Sequence, residues 1–163
     1  MSNYFLAHLN VVRPVGPFSA QMPDALYFFQ QLQFVFEAAK TSEGLLWHKH
    51  GVRSAEGDYV VLPELMGLET DGTGNPYVMT MAGWDDAKAL HNFTYRLDLH
   101  VEGMKKLRHW VDRSEGATMV MWWAKRGERV TMREGWDRLS RLRKDGPTQQ
   151  AFSMQERFDA ETA

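Results

Sequence analysis

Cysteine is absent from the 163 residues. The chain therefore has no disulfide, no thiolate nucleophile and no thiolate ligand for a metal, which suits a reducing compartment. An excess of one charge is also absent: Lys and Arg number 19, Asp and Glu 21, and the formal net charge is -2. Such a balance offers no surface for a polyanion, so nucleic acid is not an expected partner. No apolar stretch approaches the roughly 18 residues of a membrane span. The start, Met1-Ser2-Asn3-Tyr4-Phe5-Leu6-Ala7-His8, has no basic region leading into an apolar one, and a soluble, cytoplasmic protein without a membrane partner is expected. The glycine signatures of dinucleotide-binding, P-loop and serine-hydrolase sites are missing, and Gly72-Thr73-Gly74 is not followed by a helical pattern; those three chemistries fall away.

The chain is of single-domain size, 163 residues, enough to bury roughly two-thirds of its unfolded surface. One domain over residues 1–163 is expected, with a C-terminal helix and tail from about residue 131. Ten Met and 12% aromatic residues supply large, adaptable side chains, the mix of a roomy apolar pocket, an oligomer interface or a core that uses Met as filler.

Residues 4–12 alternate, with Phe5, Ala7, Leu9 and Val11 on one side and Tyr4, Leu6, His8, Asn10 and Val12 on the other, and this strand stops before Arg13-Pro14-Val15-Gly16-Pro17. From Asp24 to Lys40 the spacing of Leu26, Phe29, Leu32, Val35 or Phe36 and Ala39 predicts a helix. Gly44 to Gly51 reads as a second strand, and the polar segment from Val52 to Pro76 as a long connection with a short extended piece at Tyr59-Val60-Val61-Leu62. Tyr77 to Gly83 is a third strand, with Asp85 or Asp86 as a helix N-cap after it. Leu90, Phe93, Leu97, Val101, Met104, Arg108 and Val111 then recur in steps of three and four, a helix of up to about seven turns that bends, if anywhere, near Asp98. Thr118 to Lys125 is a fourth strand, and Thr131 to Lys144 a last helix with Trp136, Leu139 and Leu142 inward, stopped by Gly146-Pro147.

That order matches a ferredoxin-like split βαβ plan of the α+β class: a four-stranded antiparallel sheet with helices on one face. The simplest cover for the other face is a second copy, sheet against sheet, which predicts a homodimer.

The segment from Trp84 to Trp123 holds most of the candidate site. His100 falls on the apolar arc of the long helix with Phe93 and Met104, as a satisfied core histidine or as the base of a pocket. Tyr95 and His91 project to the opposite side unless the helix bends. Arg96, one turn before His100, suits an anionic group of a substrate or a surface ion pair. On the strands, period-2 spacing collects His8 and Asn10, His48 and His50, Thr80, and Trp122 as side chains that could line a cavity. His48 and His50 share a face but lack a third ligand in sequence, so no metal is expected.

Leu6-Ala7-His8-Leu9-Asn10, Trp84 ahead of an Ala/Leu helix, Phe93-Thr94-Tyr95-Arg96, His100 with Trp110 after a basic run, Val120-Met121-Trp122-Trp123, and Leu139 to Phe152 with Gly146-Pro147-Thr148 together resemble a bacterial domain-of-unknown-function family. That family is placed in the dimeric α+β barrel superfamily, beside the antibiotic-biosynthesis-monooxygenase-like proteins. The resemblance covers nearly the whole chain. It departs where Val111 follows Trp110, a position at which the family often has Phe, and at His8, where it often has Gln. It implies a dimeric barrel and a superfamily of cofactor-independent oxygenases, haem-binding enzymes, isomerases, cyclases and non-catalytic members.

The functional expectation is an enzyme of small-molecule metabolism, monooxygenase-, isomerase- or cyclase-like, with an apolar or aromatic substrate in a barrel pocket. His100, Tyr95 and Arg96 are the expected catalytic groups, and His8, Asn10, His48, Thr80, Trp84, His91, Phe93, Met104 and Trp122 the substrate contacts. No cofactor is expected; the alternatives are haem with His100 as axial ligand and a non-catalytic ligand-binding protein.

Overall fold

β1 (Tyr4–Val12) is an interior strand of the sheet, with antiparallel partners on both sides. The computed structural model describes residues 2–13, 15, 34–53, 59–62, 77–107 and 111–160. After β1 come α1 (34–40), β2 (Leu45–Arg53), β3 (Tyr59–Leu62), β4 (Tyr77–Trp84), α2 (Ala87–Arg96), α3 (Asp98–Leu107), β5 (Met119–Lys125) and α4 (Met132–Asp145). The sheet order is β3-β2-β4-β1-β5, every neighbouring pair antiparallel. Strands β2-β4-β1-β5, with helical crossovers from β1 to β2 and from β4 to β5, are the ferredoxin-like core. Among the described residues the sheet has five strands rather than four, because the short piece at residues 59–62 pairs along the outer edge of β2.

Strand register divides the side chains between two faces. Leu6, His8, Asn10 and Val12 lie opposite Trp84, Ala82, Thr80 and Val78 on β4, and on the other side Leu6, His8 and Asn10 lie opposite Trp123, Met121 and Met119 on β5. Phe5, Ala7, Leu9 and Val11 share the reverse face with Met79, Met81, Val120, Trp122 and Ala124, and there Met132, Leu139 and Leu142 of α4 complete a buried cluster. On the first face Leu90 of α2 and Phe152 join Leu6, Ala82, Trp84 and Met121 in a second cluster.

Helices therefore cover both faces, which corrects the expectation that they lie on one. The apolar stripe of α4 buries Met132, Gly135, Leu139 and Leu142, and at Gly135 the helix comes so near that an added Cβ would lie 3.1 Å from Leu9 and 3.3 Å from Trp122. A helix that follows the last strand is free to cross either edge of the sheet, and its own stripe does not say which. α4 covers the reverse face over β1 and β5. The C-terminal segment then closes the β5 edge: Phe152 and Met121 exchange backbone hydrogen bonds of 3.0 and 2.8 Å, and the Trp123 indole donates to the Phe158 carbonyl at 2.7 Å.

The last helix is bounded as its caps imply, with the Thr131 side chain accepting from the Glu134 N–H and Gly146, at φ 81°, closing the C-terminus. Asp86 caps α2 by accepting from the Ala89 N–H at 2.7 Å. The long helix breaks at Leu97, whose backbone is extended (φ -84°, ψ 107°), so α2 and α3 are separate. Of the helix expected over 24–40, residues 34–40 are helical, while Leu26, Phe29 and Leu32 lie outside the described residues, as do Trp110, Gly72-Thr73-Gly74 and most of the 52–76 connection.

Candidate functional site

The face of the sheet that carries His8 and Asn10 does not pack flat against the helices. A cavity of about 300 Å³ lies there, walled by β1, β2 and β4 on one side and by α1, α2 and α3 on the other. Its floor is set by register: His8 pairs across to Ala82, which pairs to His48, and in the next row Asn10 pairs to Thr80, which pairs to His50. The small Ala82 leaves the space between two imidazoles open. Apolar walls come from Val12, Phe36, Val78, Trp84, Phe93, Met104 and Met119. Volume and lining fit the lower end of the range for small-molecule sites.

His100 enters because of the break at Leu97. A straight helix would turn it away from Tyr95, but both line the cavity. His100 Nδ1 lies 2.9 Å from the Thr94 backbone carbonyl. A carbonyl only accepts, so Nδ1 carries the hydrogen and Nε2 keeps its lone pair. Burial pushes the His100 pKa below its usual value and the Thr94 carbonyl opposes this in part, so the ring is neutral at pH 7. The Phe93 ring sits 4.9 Å from it, and Trp84 5.1 Å from Phe93.

His8 is held differently. The Trp84 Nε1–H donates to His8 Nδ1 at 3.1 Å. Burial first, and then the neighbouring His100, lower its pKa to about 4 against the pull of the Ala82 carbonyl. His48 is also shifted down, by burial and by His50 and Lys40, with Glu37 opposing; its buried Nδ1 has no hydrogen-bond partner. Phe36 stacks on His48 and His50, with ring centroids 5.5 and 4.8 Å apart.

Of the residues singled out in the sequence, the structure brings His8, Asn10, His48, Thr80, Trp84, Phe93, Tyr95, His100 and Met104 to the cavity lining. Four lie elsewhere: His50, one row along β2 from His48, is not on the lining. Trp122 is on the reverse face under α4 and Trp123 on the cavity side of the sheet, because register with β1 pairs Trp122 with Ala7 and Trp123 with Leu6. Arg96 is exposed at the end of α2, and His91 packs on the Tyr95 ring at 5.0 Å; neither lines the cavity. Tyr95 itself is 49% exposed, at the rim. Sequence reading missed Phe36, Ala39, Val12, Val78, Met119 and Arg113. Period-2 membership would have found Val12, Val78 and Met119, whereas the Thr94 carbonyl, a backbone group, leaves no trace in residue identity. Among the described residues no three His, Asp or Glu side chains stand close enough to hold a metal ion, and no helix is long and apolar enough to cross a membrane.

Fold and cavity define an α+β protein of ferredoxin-like plan with a pocket between sheet and helices. Residues 5–163 match the model of the family described as a domain of unknown function, DUF3291, and the chain belongs to that family. No curated protein matches the chain. Among solved structures, SnoaB, a cofactor-independent oxygenase from Streptomyces nogalater, is similar at 11% identity and a TM-score of 0.40, over 80% of this chain and 98% of that one. A conserved protein from Methanosarcina mazei Go1 is similar at 15% identity and a TM-score of 0.41, over 74% of this chain and 92% of that one. At TM-scores of this size neither likeness bears on what the chain does.

Proposed function

We propose that the cavity is the active site of an enzyme of small-molecule metabolism, which binds an apolar or aromatic substrate and removes a proton from it with Nε2 of His100. One observation carries this reading: the Nδ1–H of His100 is committed to the Thr94 carbonyl, so the other nitrogen is fixed as a base beside the cavity, and burial keeps it unprotonated. Tyr95, at the rim, is the second proton carrier. Aromatic walls favour a planar substrate. Proton removal is the step that oxygenase-, isomerase- and cyclase-like reactions of such substrates share.

The test is deuterium exchange. Purified protein is mixed in D2O with a panel of ketones of one or two rings that carry a C–H next to the carbonyl, and exchange at that carbon is followed by mass spectrometry. Exchange by the wild-type protein that falls about 100-fold or more in His100→Ala, within the usual range for loss of a general base, is expected. Binding without exchange would instead make the protein a ligand carrier. A Soret band in the purified protein, lost in His100→Ala, would move Nε2 from base to haem ligand.

A further inference from the structure

We propose that His8 and His100 are set in opposite tautomers across one cavity, as hydrogen-bond donor and base, and that they fit a planar, uncharged ligand in which an acidic hydrogen is conjugated to a carbonyl oxygen. The inference deepens the reading above and rests on it. His8 Nδ1 accepts from the Trp84 indole at 3.1 Å, and an accepting ring nitrogen carries no hydrogen, so the neutral ring has its hydrogen at Nε2. His100 is the reverse, with its hydrogen on Nδ1 towards Thr94 and a bare Nε2. Both rings line the cavity, and His100 is close enough to His8 to disfavour charge on it. When His100 takes a proton, His8 therefore stays neutral and stays a donor.

The Ala82 backbone carbonyl lies near enough to the His8 ring to favour a hydrogen on it. A neutral ligand oxygen that enters between the two imidazoles gains only an ordinary hydrogen bond from His8. Once it carries negative charge its hydrogen bond is roughly twice as strong as a neutral one, so His8 favours the ionised ligand over the neutral one, which is the condition for lowering a barrier. Trp84 acts through His8 and is a positioning residue.

The ligand class follows from the same groups. Among the described lining residues there is no carboxylate, so a cationic ligand meets no counter-charge. A neutral imidazole is a weak base and needs an acidic hydrogen; conjugation to a carbonyl supplies that acidity and also an oxygen on which the charge collects. In the step, the O–H or C–H bond of the ligand breaks and an N–H bond forms at His100 Nε2. The electron pair moves through the conjugated system to the carbonyl oxygen, opposite the Nε2–H of His8, and no oxidant or co-reactant is involved.

The test uses the full chain and 4-hydroxyacetophenone, whose ultraviolet band moves when its phenol ionises. Nitrogen-15 spectra of the imidazoles at pH 7 should show His8 bare at Nδ1 and His100 bare at Nε2, and the bound probe should be phenolate. Trp84→Phe should mix the His8 tautomers and reduce the phenolate fraction at least fivefold with an unchanged circular dichroism spectrum. His8→Gln, which keeps an N–H donor, should retain the ionisation that His8→Phe loses. A His8 with its hydrogen on Nδ1 overturns the assignment. Equal ionisation in His8→Phe, with loss only in His100→Ala, overturns the donor role and leaves His100 as the base. A wild-type protein that binds no probe overturns the ligand class, and one that binds it only as the neutral phenol overturns both readings.

Discussion

Gly135 of α4 lies directly against Trp122 of β5: a Cβ at Gly135 would stand 3.3 Å from the far edge of that indole, and 3.1 Å from Leu9 on β1. The helix reaches the sheet at this point because it has no side chain there. Gly135→Leu should force α4 outward and cost about 1–3 kcal/mol, the usual range for overpacking a filled core. Urea unfolding of the two proteins measures it. A loss under about 0.5 kcal/mol would mean that α4 and the sheet are not in tight contact.

Buried histidines make stability depend on pH, and the sign is fixed. The pKa of His8 is about 4 in the fold and near 6.5 in the unfolded chain. The unfolded state therefore binds the proton first, so the contribution of a neutral His8 is complete above about pH 6.5 and is lost progressively as the pH falls towards 4. The full effect is on the order of 3 kcal/mol. His100 and His48, shifted the same way, add to it. His8→Gln should flatten the fall between pH 6.5 and 4, as measured by denaturation midpoints. A variant with an unaltered slope would show that His8 does not set it.

Ala82 occupies the gap between His8 and His48 on the cavity floor. Ala82 lines the cavity and also packs with Leu6, Trp84 and Phe152, so Ala82→Leu should cost about 1–3 kcal/mol while ligand binding falls at least tenfold. Thermal melting together with probe titration reads both effects. A variant that binds as well as the wild type would place the ligand elsewhere.

The carboxylate of Asp86 holds the first turn of α2, and α2 carries Phe93 and the Thr94 carbonyl to the cavity. Asp86→Ala should cost about 1 kcal/mol and raise hydrogen exchange selectively at the amides of the first turn of α2. Uniform exchange over the whole chain would argue against a local role.

Much of this arrangement is legible in the residues, for reasons that differ by element. β1 alternates cleanly, so His8 and Asn10 fall on one face from spacing alone, and α4 announces both its caps. The break at Leu97 is another matter. Apolar residues continue at helical spacing through it, and no Gly or Pro interrupts residues 87–102, so the sequence offered only a conditional bend near Asp98. Trp122 and Trp123 are a second case, since two adjacent indoles must point to opposite faces and composition cannot say which; pairing with Ala7 and Leu6 decides it. The tautomers of His8 and His100 depend on an indole 76 positions away and on a backbone carbonyl, partners that no local pattern encodes.

With α4 on one face of β1 and β5 and α2 with Phe152 on the other, these two strands bury their apolar surface within a single chain. An assembly whose core is completed by a partner unfolds more readily on dilution, so a core closed in one chain predicts a denaturation midpoint that stays constant as protein concentration is lowered a hundredfold.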